Sequence, residues 1–156
     1  MIKLEKKESI YFLTMDAEEN RWNTTFVREI SKALDEIEND EGPGALITSS
    51  TNPKFFSNGL DLDWMQAPEN HPEGGDKEVF GEEFMYLMGR FITLPIPTVC
   101  AINGHAFGAG FMFALSHDVR IMREDRGFLC ANEMQLGLSI PRPELALFKH
   151  KVPANT

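Results

Sequence analysis

Short strand-like runs alternate with longer amphipathic stretches along this 156-residue chain, and that order predicts an α/β fold. Three observations carry the prediction. Phe26, Ile30, Ala33, Leu34 and Ile37 recur at helical spacing, and so do Val79, Phe80, Phe84, Leu87, Met88 and Phe91. Between and beyond them lie brief apolar or β-branched runs such as Ala45-Leu46-Ile47-Thr48-Ser49 and Val119-Arg120-Ile121-Met122. The third is the stretch from Pro97 to Leu115. It begins as a buried strand, breaks at Asn103-Gly104 and resumes at Gly110 as an unrelieved apolar run, so it reads as strand, glycine turn, buried helix.

The elements follow in order. Ile2-Lys3-Leu4-Glu5 alternates and Ile10 to Met15 is apolar and aromatic, so the two form a hairpin across Lys7-Glu8-Ser9. Asp16 to Asn23 is a polar loop around Trp22. Thr24 and Thr25 are the N-cap candidates for a helix that stops before Gly42-Pro43-Gly44. After the strand at Ala45 comes the polar turn Ser50-Thr51-Asn52-Pro53. Gln66 to Asp76, with two prolines and two glycines, is expected to be a mobile loop. Glu78 to Ile92 is a helix entering the Leu94-Pro95-Ile96-Pro97 corner. Beyond the central stretch, Val119 to Met122 and Phe128 to Ala131 are strands around a charged turn. Glu144 to Lys149 looks like a helix just begun, followed by a tail that closes no obvious layer.

Composition narrows the function. One domain with a modest core is the natural count for this length. A formal charge of −9 argues against nucleic acid or an anionic membrane surface as a general partner. No apolar run is long enough to span a bilayer, and the N-terminus has neither a signal core nor the Arg-rich character of a transit peptide. Cys100 and Cys130 sit in apolar runs, so two reduced, buried thiols are expected, which suits an intracellular protein.

A glycine-rich turn opening a helix aims unpaired backbone N–H groups at one spot, with the positive end of the helix dipole behind them. Such a spot binds an anion, either a phosphate or an oxygen that becomes negative only in a transition state. The glycines fall at 104, 108 and 110, which is not G-x-G-x-x-G, and no Gly-Lys-Ser/Thr follows. The plainer alternative is that these glycines only permit close helix–strand packing.

Three blocks now point to a family. They are Phe55-Phe56-Ser57-Asn58-Gly59-Leu60-Asp61-Leu62, then Pro97 to Gly110, then Asn132-Glu133-Met134-Gln135-Leu136-Gly137-Leu138. In this order and spacing they resemble the crotonase (enoyl-CoA hydratase/isomerase) superfamily. The resemblance implies a spiral of ββα units over residues 1–156, the N-terminal core of a typical member without its C-terminal helical region. It also implies an acyl-CoA substrate whose thioester oxygen lies between two backbone N–H groups. By motif those belong to Leu60 and to Ala109, the middle of Gly108-Ala109-Gly110. Ser57, Asn58, Gly59, Leu60 and Asp61, with Gly108 and Asn132, are expected to line the substrate and CoA side. Neither a metal nor a separate cofactor is implied, coenzyme A being part of the substrate.

In hydratases of this family two glutamates hold the added water. One lies three residues past the second oxyanion donor, where this chain has Met112; the other is matched by Glu133. Methionine moves no proton, so the hydration pair is broken. A single base suffices to shift a 3-enoyl double bond to the 2-position, taking a proton from C2 and returning it at C4. A dry setting helps, and Phe107, Phe111, Met112, Cys130, Met134 and Leu138 flank Glu133 in sequence. The blocks at 56–59 and 132–137 also resemble those of Δ3,Δ2-enoyl-CoA isomerases. The expected activity is therefore double-bond migration in fatty-acid β-oxidation, with an enoyl-CoA hydratase or another acyl-CoA-processing crotonase, or a non-catalytic CoA-binding or interaction module, as rivals. A homotrimer or hexamer and a peroxisomal home, with the mitochondrion next, are implied by the same analogy.

Other candidates have plainer readings. Glu133 outside this motif would be a strand-end carboxylate paired with Arg126 or Arg142. Asn58 makes an Asx-type turn in the plain reading, and Lys54 is a solvated lysine rather than a phosphate contact. His105, and His117 with Asp118, lack a nucleophilic serine or ligand spacing, so they are packed or hydrogen-bonded histidines. His71 and His150 are surface residues, and Trp22, Trp64 and the Phe84/Phe91 face are core or pocket wall.

Overall fold

The computed structural model describes residues 1–68 and 73–153. Its elements are β1 (Ile2–Lys7), β2 (Ile10–Met15), α1 (Thr24–Glu38), β3 (Ala45–Ser50), β4 (Phe55–Ser57), α2 (Leu62–Gln66) and α3 (Phe80–Thr93). Then come β5 (Thr98–Ile102), β6 (His105–Phe107), α4 (Ala109–Leu115), β7 (Val119–Met122), β8 (Leu129–Cys130), a 3₁₀ turn (Glu133–Leu136) and α5 (Arg142–Lys151).

Two sheets organise them. The larger runs β1-β2-β3-β5-β7, antiparallel only within the β1–β2 hairpin and parallel from β2 onward; the smaller is β4-β6-β8, parallel throughout. Three times in succession the chain places one strand in the large sheet, the next in the small sheet, and then a helix. That repetition is the ββα spiral expected from the sequence, with the β1–β2–α1 unit as its first turn.

The strand β6 was not legible as a separate element. His105-Ala106-Phe107 lies inside what reads as a glycine turn, yet it pairs with β4 and β8. Gly104 makes this possible: a Cβ there would run into the backbone of Lys54 and Phe55, so only glycine lets the chain step from one sheet to the other at that closeness.

The helix α1 is capped by Asn23, not by Thr24 or Thr25. Asn23 is extended, and its side-chain oxygen accepts from the Phe26 N–H at 2.9 Å. The Thr24 hydroxyl is engaged elsewhere, donating to the Asp76 carbonyl at 2.5 Å. On the described flank of the 66–76 segment, the Gly74 carbonyl takes the Thr25 N–H and the Gly75 carbonyl takes the Trp64 indole N–H, both at 3.1 Å. The middle of the expected mobile loop, with His71, lies outside the described residues.

The core centres on Trp22, which meets Phe26, Phe84 and Phe113 edge to face at centroid distances of 5.0 Å each. Arg90 of α3 ties this layer to α1 through Asp35, Glu38 and the Ser31 carbonyl. The tail does close a layer: α5 packs on α4, with Phe148 edge to face on Phe111 at 5.2 Å. Both cysteines are free thiols, Cys100 buried and Cys130 only half-buried, because two-residue β8 leaves one of its sides open. No helix among the described residues is long and apolar enough to cross a membrane.

Candidate active site

Parallel pairing brings the C-terminal ends of β4, β6 and β8 out side by side. From those ends come the segments 58–60, 108–109 and 132–133. Between them lies a cleft of about 290 Å³ lined by Asn58, Gly59, Leu60, Gly108, Asn132 and Glu133, with Leu136, Leu138, Leu62, Arg21 and Asp63 at its sides.

Two glycines hold the first two segments together. Gly59 has φ +84, and a Cβ on it would stand 2.8 Å from the Phe107 carbonyl oxygen. Gly108, at φ +46, donates its N–H to the Cys130 carbonyl at 2.9 Å. A Cβ there would meet Glu133 Oε1 at 3.1 Å and Asn132 Oδ1 at 3.5 Å. These close approaches bring the backbone at residues 58–60 up against that at 107–108.

The amides of residues 60 and 109 are each left unpaired for a local reason. Trp22 bridges the backbone on both sides of Leu60, donating to the Gly59 carbonyl at 2.8 Å and accepting from the Asp61 N–H at 2.9 Å. In extended backbone successive N–H groups point to opposite sides, so that of Leu60 faces away from Trp22. Ala109 opens α4, and the first intrahelical bond is made by Met112 to the Gly108 carbonyl at 3.0 Å. Among the described residues neither the Leu60 nor the Ala109 N–H has an acceptor.

Glu133 does not end a strand; it opens the 3₁₀ turn after β8. No ion pair joins it to Arg126 or Arg142. Its Oε2 is buried without a hydrogen-bond partner, while Oε1 lies over Gly108. A buried carboxylate oxygen without a donor is costly, commonly about 1–3 kcal/mol or more.

The remaining expectations divide. Asn58, Gly59, Leu60, Gly108, Asn132 and Glu133 line the cleft together, and Ala109 adjoins it through Gly108. Ser57 and Asp61 do not. Ser57 is wholly buried, its hydroxyl accepting from the Trp22 indole at 3.0 Å and donating to the Asn20 carbonyl at 2.7 Å. Asp61 caps α2, accepting from the Trp64 N–H at 3.2 Å, and borders a separate groove. The Asn58 side chain donates to Glu19 at 2.8 Å; the Asx turn belongs to Asn52, which accepts from the Lys54 and Phe55 amides. The apolar wall is also thinner than expected. Met112 and Phe111 are buried, but Met134 is 78% exposed and Leu138 41%, because the 3₁₀ turn swings them outward.

His117 and His105 are structural. His117 is buried between the Phe113 carbonyl (Nδ1, 2.9 Å) and the Thr48 hydroxyl (Nε2, 2.8 Å), and burial pulls its pKa down to about 4. Asp118 accepts from the Thr98 amide and hydroxyl at 2.8 and 3.0 Å instead of pairing with it. His105 stacks on Phe107 and Phe128, and Lys54 lies over the Phe55 ring. Sequence reasoning missed Arg21, an exposed-loop arginine that reaches the cleft wall and pairs with Glu19 and Asp63. It also missed Glu144, whose carboxyl is raised to about 7 by burial and then by the nearby Glu133 charge.

Comparison with known proteins decides the kinship. The family model described as Enoyl-CoA hydratase/isomerase matches residues 5–154. The chain belongs to this family. Members similar to it include "Enoyl-CoA delta isomerase 2, peroxisomal" of Arabidopsis thaliana, 35% identical over 97% of this chain and 64% of the relative. "Enoyl-CoA delta isomerase 3" of the same plant is also 35% identical, over the same shares. Among solved structures, an enoyl-CoA hydratase, EchA3, from Mycobacterium ulcerans superposes with a TM-score of 0.85 at 25% identity, covering 99% of this chain and 65% of that one. A putative enoyl-CoA hydratase/isomerase from Legionella pneumophila gives 0.83 at 25% identity, covering 99% and 59%. The crotonase fold is thereby shared, and the chain spans about two thirds of the length of the curated relatives it matches.

Proposed function

We propose that this chain is the core of a Δ3,Δ2-enoyl-CoA isomerase. The observation that supports the reading is the placement of Glu133: a carboxylate oxygen buried without a donor, over Gly108, in a cleft that Leu60 also lines. In this reading the thioester oxygen of a 3-enoyl-CoA accepts from the Leu60 and Ala109 N–H groups. Glu133 takes a C2 proton; the C–H electron pair passes through C1 to the oxygen as an enolate. Two preset donors stabilise that charge more than the neutral carbonyl, and losing one in other enzymes costs roughly a hundred- to thousandfold in rate. Glu133 then returns the proton at C4, and the double bond comes to rest at C2–C3.

The names of the isomerase relatives support this choice, and so does Met112, which is wholly buried where the second hydratase glutamate would be. The peroxisome, named for two of the Arabidopsis relatives, is the proposed compartment. A homotrimer or hexamer is the proposed assembly, which the exposed apolar residues Val119 and Ile121 on edge strand β7 favour. The deciding experiment is Glu133→Gln, assayed for conversion of a 3-enoyl-CoA to the 2-enoyl-CoA beside the unaltered chain. Loss of at least about a hundredfold is expected. Unimpaired conversion would eliminate Glu133 as the base, and hydration of a 2-enoyl-CoA without isomerisation would move the assignment to a hydratase.

A further inference from the structure

The segment that carries Leu60 is held from outside the cleft by residues 19–22. Glu19 holds its first residue twice: the Glu19 carbonyl accepts from the Asn58 N–H at 2.9 Å, and the Glu19 carboxylate accepts from the Asn58 side-chain amide at 2.8 Å. The backbone is bent to place Glu19 there. Glu18 and Asn20, on either side of it, have φ +46 and +50, the left-handed region that a residue with a Cβ rarely adopts. Such conformations persist where surrounding contacts impose them. Here the contacts are those of Asn20, wholly buried, whose side chain accepts from the Ala17 N–H at 3.0 Å and donates to the Ser50 hydroxyl at 2.7 Å and the Phe56 carbonyl at 3.0 Å. Arg21 steadies the Glu19 carboxylate as well, donating from Nε at 2.9 Å. The bonds from Asn58 and Arg21 hold the Glu19 carboxyl below the usual carboxylate range, so it is ionised at neutral pH and its bond to Asn58 is charge-assisted.

We infer that Glu19 is a positioning residue for the Leu60 N–H: by holding Asn58 through both its main chain and its side chain, it fixes the segment 58–60 that forms one wall of the cleft. The inference rests on the reading of the Leu60 N–H as a donor to the thioester oxygen. Asn58, Gly59 and Leu60 line the cleft, whereas Glu19 borders the neighbouring groove and does not, so it acts through Asn58. It gives and takes no proton; the C2 proton passes to Glu133 as above. Its effect falls on the chemical step for a physical reason. A donor is worth more to the thioester oxygen when that oxygen carries the enolate charge than when it belongs to the neutral carbonyl. A displaced Leu60 amide therefore lowers kcat more than it raises KM.

The test compares Glu19→Ala, Glu19→Gln, Asn58→Ala and the double alanine variant with the unaltered chain, by kcat and KM for a 3-enoyl-CoA and by the ¹⁵N–¹H resonance of Leu60. Glu19→Ala should lower kcat about tenfold or more with KM within about twofold, and should shift the Leu60 resonance while leaving that of Ala109 in place. Glu19→Gln keeps an acceptor oxygen for Asn58 and should restore most of the rate and the resonance. The double variant should be no slower than the slower single alanine variant, because both changes break the same bond. The inference is overturned if Glu19→Ala leaves either kcat or the Leu60 resonance unchanged, or if KM rises as much as kcat falls. It is equally overturned if Glu19→Gln is as slow as Glu19→Ala, or if the two alanine changes are additive. Turnover that survives Glu133→Gln, or that is absent from the unaltered chain, overturns the isomerase reading instead. The Leu60 resonance in Glu19→Ala then decides by itself whether Glu19 positions that amide.

Discussion

Gly59 holds two segments of the cleft together, and replacing it by alanine should be among the most damaging small changes in the chain. The magnitude has two parts. A φ of +84 is unfavourable for any residue with a Cβ, at about 1–2 kcal/mol. The new Cβ would also lie 2.8 Å from the Phe107 carbonyl oxygen, a backbone atom that cannot swing aside, and such overpacking costs about 1–3 kcal/mol. Together they give about 2–5 kcal/mol, a large part of the roughly 5–15 kcal/mol that holds a domain folded. The control is Gly89→Ala, at an exposed position inside α3 where a Cβ meets nothing within 4 Å. Helix propensity makes that change stabilising by about 0.5–1 kcal/mol. Urea unfolding of the three proteins measures the difference, with equal slopes confirming a common transition. If Gly59→Ala unfolded within about 0.5 kcal/mol of the unaltered chain, the tight seating of residues 59 and 107 would be refuted.

Two further outcomes follow from buried titratable groups. His117 must stay neutral in the folded chain, its pKa near 4 lying below that of the unfolded state, so its contribution is complete above about pH 6.5. As pH falls toward 4 the protein should lose about 3 kcal/mol on this account, and His117→Gln should flatten the slope of stability against pH between those limits. An unaltered slope would mean that some other group drives the acid transition. Burial pushes the Cys100 thiol far up, while Cys130 is only half-buried. A thiol reagent should therefore modify one cysteine per native chain, Cys130, and both after unfolding; rapid modification of Cys100 would contradict its seat in β5.

The large elements were legible because each carries its own periodicity. Ile30, Leu34 and Ile37 announce α1, and Phe84, Leu87, Met88 and Phe91 announce α3, and all of these residues are buried. Short elements carry too few residues for a pattern. β6 has three and β8 has two, and both exist because neighbouring strands in the small sheet offer them partners far away in sequence. The same holds for caps: Asn23 won over Thr24 because Asp76, 52 positions away, claims the threonine hydroxyl. In the cleft, the glycines and Glu133 were legible from their motifs. Glu144 was not, since only the packing of α5 on α4 half-buries an ordinary first-turn acid and raises its carboxyl.

Packing also bears on why one reaction would be kept over another. Met112 belongs to the core formed by Phe113, Phe111 and their neighbours, and it is wholly buried. A glutamate introduced there would have to enter an apolar setting, neutral or at a cost of several kcal/mol, unless the surrounding side chains were rebuilt to solvate it. Its own helix, α4, supplies no polar side chain for that purpose. A single Met112→Glu exchange should thus lower stability without conferring hydration of a 2-enoyl-CoA. If that variant instead hydrated the substrate and remained as stable as the parent, the choice between the two reactions would lie in one side chain, and the core around α4 would have no part in it.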